Sequence, residues 1–109
     1  MESNKIQELN ETLLNHFGID NQLHKLEEKL TELFIAVKRV RSGRIGIISY
    51  TFMEELADVE NLLCQIKIEV CREFRSNGES EFCIENALDT IKTDKISRVF
   101  KDYRIEKHS

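Results

Sequence analysis

The apolar positions of this chain recur every three or four residues, which is the period of an α-helix with one buried face. They fall into four segments that are separated by polar or glycine-containing stops. The first segment ends at Phe17-Gly18, the second at Ser42-Gly43-Arg44 and the third at Ser76-Asn77-Gly78. No segment shows the strict alternation of a β-strand. The sequence therefore predicts an all-α chain of four helices, with the fourth at about residues 80–103.

The second and third segments carry the most regular pattern, because their apolar residues repeat as unbroken heptads. Such a seam predicts that each helix packs along its length against a neighbour. We expect Asp20 or Asn21 to cap the second helix, and Thr51 with Glu54 to form a capping box for the third. The connection at residues 45–50 is apolar and is expected to be packed. The predicted seam residues are Leu23, Leu26, Leu30, Leu33, Val37 and Val40 in the second helix, and Leu56, Val59, Leu63, Ile66 and Val70 in the third.

Length and composition favour one small domain covering residues 1–109. The 16 basic and 20 acidic residues give a net charge of −4, which argues against nucleic acid as a partner. The apolar runs are too short to cross a bilayer and the N-terminus lacks a signal peptide, so we expect a cytoplasmic protein without a membrane partner. The three cysteines form no CxxC pair, and free thiols are the expectation.

Carboxylates follow matching edges of the two heptad helices. Position g of the heptad is Lys29 in the second helix and Glu55 in the third, and position c is Glu32 and Asp58 respectively. Residues three apart share a helix face, so Glu55 and Asp58 can hold one cation together. If the two helices are antiparallel, Glu32 can join them in an oxygen site suited to Mg²⁺. Carboxylates at this spacing are also common on solvated helix faces, and that alternative stays open.

Two stretches of the sequence together resemble a known family. The first runs from His16-Phe17-Gly18-Ile19-Asp20-Asn21-Gln22-Leu23 to Glu32-Leu33, and the second reads Glu54-Glu55-Leu56-Ala57-Asp58-Val59-Glu60. They closely resemble the all-α nucleoside triphosphate pyrophosphohydrolases of the MazG-like type, in particular small single-domain members from phages and bacteria. The family pattern is EExxE, a spacer and ExxD. The resemblance covers about residues 16–68, and more weakly residues 92–104.

The resemblance implies a fold, a reaction and an assembly. The fold is a four-helix bundle of the MazG-like type, completed by assembly into a homodimer or a homotetramer. The reaction is hydrolysis of a ribo- or deoxyribonucleoside triphosphate to the monophosphate and pyrophosphate, with Mg²⁺, or alternatively Mn²⁺, as the cofactor. The ion neutralises phosphate charge and helps to generate the attacking hydroxide. The catalytic metal ligands that the resemblance assigns are Glu28, Glu32, Glu55 and Asp58.

Basic residues of the fourth helix are candidates for binding the substrate. Lys92, Lys95 and Arg98 could contact the triphosphate, as basic residues do in similar family members. A solvated helix face with this spacing is an equally good interpretation.

Lys29 departs from the family pattern, which has a metal-ligating glutamate at this place. An ammonium cannot ligate Mg²⁺, and at about 5 Å each unit charge is worth about 3 kcal/mol to a neighbour at an effective dielectric constant near 20. Glu28 could rotate in and restore a ligand. Alternatively, Lys29 could pair with Glu32, Glu55 or Asp58 and leave a non-catalytic site, or it could turn outward to a phosphate.

Three hypotheses about function therefore stand at this point. The leading one is a Mg²⁺-dependent pyrophosphohydrolase. The alternative is a catalytically impaired MazG-like protein that binds a nucleotide or a protein partner, because Lys29 replaces an expected ligand. The third is a helical oligomerisation module whose acidic edges only confer solubility.

Overall fold

The part of the chain that its computed structural model describes, residues 3–106, consists of four α-helices and the connections between them. The helices are α1 (Ser3–Phe17), α2 (Ile19–Arg41), α3 (Tyr50–Ser76) and α4 (Ile84–Asp102). No strand occurs within this range. The all-α prediction is therefore confirmed, and so are the three predicted stops. Residues 1–2 and 107–109 of the predicted domain lie outside the described residues.

The chain divides into two compact units. The first, Met1–Val70, holds α1, α2 and most of α3, and the second, Cys71–Ser109, holds the end of α3 and α4. Every buried residue of the described part lies in the first unit, which therefore contains the core. These residues are Asn10, Leu14, Gln22, Ala36, Val59, Leu62 and Gln65.

A single glycine makes the sharp turn between α1 and α2. Gly18 has a φ of +84°, a conformation that side chains rarely adopt, and its amide donates to the carbonyl of Leu14 at 2.8 Å. Gly18 is also the N-cap of α2, so the predicted cap at Asp20 or Asn21 is wrong. The Asn21 side-chain amide instead donates to the carbonyl of Phe17 at 2.7 Å and closes the end of α1.

The start of α3 differs from the prediction for a similar reason. The hydroxyl of Ser49 accepts a hydrogen bond from the Phe52 amide at 3.3 Å, and the helix begins at Tyr50. Ser49 therefore caps α3 in place of the predicted Thr51–Glu54 capping box. The preceding connection is not packed as expected, because Ile48 is 86% exposed.

The helices α2 and α3 are antiparallel. Gln22 bonds to Gln65 and Lys29 pairs with Asp58, so residue numbers rise along α2 as those of their partners fall along α3. The short connection between the helices allows this arrangement.

The inward faces of the two helices are rotated relative to the predicted heptad seam. On α2 the seam position a is outward, and Leu30 is 46% exposed, while position g is inward at Gln22 and Ala36. On α3 Leu63 is 42% exposed, while its neighbour Leu62 is buried. The predicted seam is therefore wrong at position a of α2 and at Leu56 and Leu63 of α3, and the g positions that carry Lys29 and Glu55 lie closer to the interior.

A chain of four side-chain amides, buried at all members but Asn61, fixes this rotated packing and joins three helices. Gln22 of α2 donates to Gln65 of α3 at 2.7 Å, and Gln65 donates to Asn10 of α1 at 3.0 Å. Asn10 then donates to Asn61 of α3 at 3.2 Å. A buried amide costs free energy unless its partners are in place, so these contacts favour one register of the three helices over its alternatives.

Within the second unit, two aromatic rings set the start of α4. Phe82 stacks on Phe74 with the ring centroids 3.8 Å apart and the planes at 12°. This contact holds Phe82 in the connection between the helices, so α4 begins at Ile84 rather than at about residue 80. No residue of α4 is buried.

The cysteines and the apolar character of the helices were the subject of two predictions from composition. All three cysteines are free, with Cys64 and Cys71 half-buried and Cys83 exposed. None of the described helices combines the length and the apolar character needed to cross a membrane.

The amide chain generates a first prediction. In Gln65→Leu the side chain keeps its approximate size, but Gln22 and Asn10 lose their partner in the interior. Leaving the buried side-chain N–H of Gln22 and the buried side-chain oxygen of Asn10 without this partner should lower the free energy of unfolding by about 2–4 kcal/mol, measured by urea denaturation.

The matched control is Gln7→Leu, which changes the same side chain at an exposed position of α1. It should alter the free energy of unfolding by no more than about 0.5 kcal/mol. If Gln65→Leu proved as stable as the control, the amide chain would not determine the packing.

Candidate metal centre

The antiparallel register brings one carboxylate of α2 to two carboxylates of α3. Glu55 and Asp58 lie on one face of α3, and Glu32 of α2 lies opposite them. Ligand oxygens of these three side chains all lie within 4.8 Å of one another. No other group of this kind occurs among residues 3–106. We call Glu32, Glu55 and Asp58 the carboxylate cluster.

Lys29 lies against the same carboxylates. Its Nζ atom is 3.1 Å from Glu32 Oε2 and 3.4 Å from Asp58 Oδ2, and it thus bridges α2 and α3. The Lys29 side chain is only 23% exposed, compared with 48% for Glu32 and 43% for Asp58. Of the three arrangements weighed from the sequence, the structure shows the one in which Lys29 pairs with Glu32 and Asp58.

Glu28 is not part of the carboxylate cluster. Its carboxylate contacts the Nζ atom of Lys25 at 3.4 Å and the Nε2 atom of His24 at 3.7 Å. These contacts direct it toward the start of α2 and away from Glu32. The side chain instead lines an open groove of about 310 Å³ at the corner between α1 and α2, together with Phe17, Asn21, Gln22, His24 and Lys25.

The ionisation of the cluster follows from its neighbours. The hydrogen bond with Lys29 lowers the pKa of Glu32 below its ordinary value, and the same contact raises the pKa of Lys29. Lys29 is therefore positively charged and Glu32 negatively charged at neutral pH. Glu55 behaves in the opposite way, because burial, and then the charge of Glu32, raise the pKa of its carboxyl group.

One oxygen of Glu55 has no partner. Its Oε2 atom is shielded from solvent and makes no hydrogen bond with the described residues. The neighbouring Glu32 carboxylate can bond to Glu55 only when one of the two groups carries a proton. When both are ionised, the contact is repulsive, and a buried anionic oxygen is left for another cation.

These features fit a divalent cation with a preference for oxygen. The carboxylate cluster offers hard, anionic ligands from two helices, and the unpartnered Oε2 atom of Glu55 supplies a buried acceptor. Mg²⁺ commonly uses a few carboxylates and completes its shell with water and phosphate oxygens, so three carboxylates are enough. Lys29 opposes this fit, because its ammonium already neutralises part of the negative charge.

The predicted phosphate-binding residues lie in the second unit. Lys92, Lys95 and Arg98 are exposed on α4, and Arg98 pairs with Asp94 at 2.8 Å. Their role in binding a triphosphate stays a prediction.

The groups that position the site were not predicted from the sequence. Gln22 and Gln65 fix the register that brings Lys29 to Asp58, and His24 with Lys25 holds Glu28 away. A signal for the first pair was present, since Gln22 is one heptad before Lys29 at the same position g. A polar residue repeated at one heptad position indicates that the inward face includes that position.

Comparisons of this chain with models of protein families, with curated proteins and with solved structures found no match.

The raised pKa of Glu55 predicts a pH-dependent gain in stability for Glu55→Gln. A folded-state pKa above the ordinary value of 4.5 means that the ionised carboxylate opposes folding, and increasingly so as the pH rises through the folded-state value. In the absence of metal, Glu55→Gln should therefore raise the melting temperature at pH 7.5 by roughly 4 °C. The gain should shrink as the pH falls toward 4.5.

Thermal unfolding with EDTA across this pH range is the measurement. Glu54→Gln removes the adjacent exposed carboxylate and should give a smaller change without the same pH dependence. A destabilised Glu55→Gln protein at pH 7.5 would show that Glu55 is satisfied in the folded state.

Proposed function

We propose that this protein is a nucleoside triphosphate pyrophosphohydrolase that requires Mg²⁺, or alternatively Mn²⁺. The observation that carries the proposal is the meeting of Glu32 from α2 with Glu55 and Asp58 from α3, with ligand oxygens within 4.8 Å. The resemblance of the same residues to the MazG-like EExxE and ExxD pattern supports it. The nucleotide class rests on that resemblance, and the metal site rests on the geometry.

The proposed reaction is a hydrolysis between the α- and β-phosphates. The oxygen of water forms a bond to the α-phosphorus, the bond from that phosphorus to the bridging oxygen breaks, and pyrophosphate leaves with this oxygen. When bound, Mg²⁺ would neutralise phosphate charge and lower the pKa of a water molecule. Glu32, Glu55 and Asp58 would hold the ion.

A second candidate function is supported by Lys29. Its contacts of 3.1 Å with Glu32 and 3.4 Å with Asp58 supply the cluster with a positive charge from the chain itself. Glu28, which could have restored a ligand, is paired elsewhere. This arrangement favours a catalytically impaired MazG-like protein that binds a nucleotide or a protein partner.

We also propose that the chain forms a homodimer or homotetramer. The outward position a of the heptads leaves Leu23, Leu30 and Val37 exposed on α2, and Leu56 and Leu63 exposed on α3. In an antiparallel pair, equal heptad positions lie on the same side, so these side chains form one apolar face. A face of this kind is more extensive than scattered apolar residues on a monomer surface and supports burial against a second copy.

The enzymatic proposal predicts pyrophosphate release from a panel of ribo- and deoxyribonucleoside triphosphates in the presence of Mg²⁺ or Mn²⁺. Glu55→Ala removes the carboxylate with the unpartnered oxygen and should reduce the rate by at least about a hundredfold. Glu54→Ala, the exposed neighbour, should retain activity.

The Lys29→Glu variant separates the two candidate functions in the same assay. Turnover by the natural chain supports the pyrophosphohydrolase. Turnover only after Lys29→Glu supports the impaired relative, and no turnover from either chain would contradict the enzymatic proposal.

The apolar face predicts that Leu30→Glu weakens self-association. A buried, unpaired carboxylate in the interface is unfavourable, so the dissociation constant should rise by at least about tenfold. Sedimentation velocity over a range of protein concentrations measures this change. Thr31→Glu adds the same charge at the next residue and should associate as the natural chain does, whereas equal association of all three chains would place the interface elsewhere.

A further inference from the structure

Lys29 differs from Lys25, another lysine of α2, in which carboxylates its ammonium contacts. Its ammonium contacts carboxylates of two different helices, and its side chain is 23% exposed. Lys25, one turn earlier on the same helix, is 51% exposed and contacts Glu28 of its own helix. Lys29 is thus built into the carboxylate cluster, whereas Lys25 belongs to the surface of α2.

The position of this ammonium overlaps with the position that a cation would need. Glu32 Oε2 and Asp58 Oδ2, the atoms that Lys29 contacts, belong to two of the three cluster side chains. A metal ion that used these oxygens would meet a positive charge at hydrogen-bonding distance. A lysine side chain has four flexible carbons, so its ammonium can leave while the backbone of α2 stays in place.

The charge of Lys29 has two opposite effects on the carboxylate cluster: it stabilises the metal-free cluster and it opposes the binding of a metal ion. Three carboxylates in one group repel each other, and Glu55 already carries an unpartnered buried oxygen. The ammonium of Lys29 relieves part of that repulsion when no metal is bound. The same charge disfavours a divalent cation, because two positive charges about 5 Å apart repel each other even at an effective dielectric constant near 20.

We propose that Lys29 is a tethered counter-ion that competes with a divalent cation for Glu32 and Asp58. Loading of the site exchanges the ammonium for the ion, so Lys29 sets the metal concentration at which the site fills. This inference rests on the metal site of the proposed function. It assigns Lys29 a regulatory position at that site, where a MazG-like pattern would have a ligand.

A titration of the whole chain with Mn²⁺ tests the competition. The electron paramagnetic resonance signal of the free ion reports how much Mn²⁺ is bound. Lys29→Met keeps most of the stem and removes the charge, and it should bind Mn²⁺ about tenfold to a hundredfold more tightly than the natural chain. The matched control is Lys25→Met, which should change the affinity by less than about threefold, because Lys25 is more exposed and pairs outside the cluster.

A second measurement uses the natural chain and does not depend on the folding of a variant. Acetylation of lysines by an amine-reactive reagent, quantified for each residue by mass spectrometry, reports how accessible each amine is. Addition of Mn²⁺ should increase the labelling rate of Lys29 several-fold as its ion pairs break, whereas the rate at Lys25 should stay within about twofold.

The outcomes separate the two claims. Equal Mn²⁺ affinity in the natural chain and Lys29→Met, with unchanged labelling of Lys29, would overturn the competition and leave the metal site intact. If the natural chain, Lys29→Met and Lys29→Glu all failed to bind Mn²⁺, the metal site itself would be wrong, and this inference with it. Tighter binding by Lys29→Met than by the natural chain and Lys25→Met supports both the metal site and the competition.

Discussion

The structure depends on the hydrogen bond between the side chains of Gln22 and Gln65, which fixes how α2 lies against α3. Both amides are buried, and a shift of either helix by one turn would break this hydrogen bond within the core. Once this pair is set, the antiparallel direction places Lys29 against Asp58 one heptad further along. The site is thus a consequence of a register that is determined elsewhere in the core.

The carboxylate cluster lowers the stability of the folded chain, and the same features suit it to bind a cation. Its three carboxylates repel each other, and the unpartnered oxygen of Glu55 is unfavourable in a folded protein. Such a group persists where a cation compensates for it. Lys29 supplies this compensation from within the chain, and a divalent ion would supply more of it. We propose that the balance between these two cations sets how readily the carboxylate cluster takes up a divalent ion.

Local signals in the sequence were sufficient to predict the four helices. Glycines and short polar stretches marked the ends of α1, α2 and α3 correctly, because these residues break helices through their own backbone preferences. The caps were predicted less well. Asn21 closes the helix before it rather than opening its own, and Ser49 caps α3 ahead of Thr51. Both side chains had more than one backbone partner within reach, and a sequence does not decide between such partners.

The candidate site was predictable as a set of residues but not as a geometry. Matching heptad positions indicated that Glu32, Glu55 and Asp58 could meet, and the antiparallel packing brings them together. The heptad pattern placed Leu30 and Leu63 inside, yet both are substantially exposed. The buried amides turn the g positions inward instead, and their effect depends on contacts between helices that are distant in sequence. The pairing of Glu28 with His24 and Lys25 is local to α2, but the spacing alone does not show whether the carboxylate turns to these residues or to the cluster.

Paramagnetic broadening of backbone amide signals by substoichiometric Mn²⁺ shows where on the chain the ion binds. A metal site at the carboxylate cluster predicts broadening that is centred on the amides next to Glu32, Glu55 and Asp58 and is stronger there than next to Glu28. Broadening spread evenly over the exposed acidic residues, with no focus between α2 and α3, would contradict it.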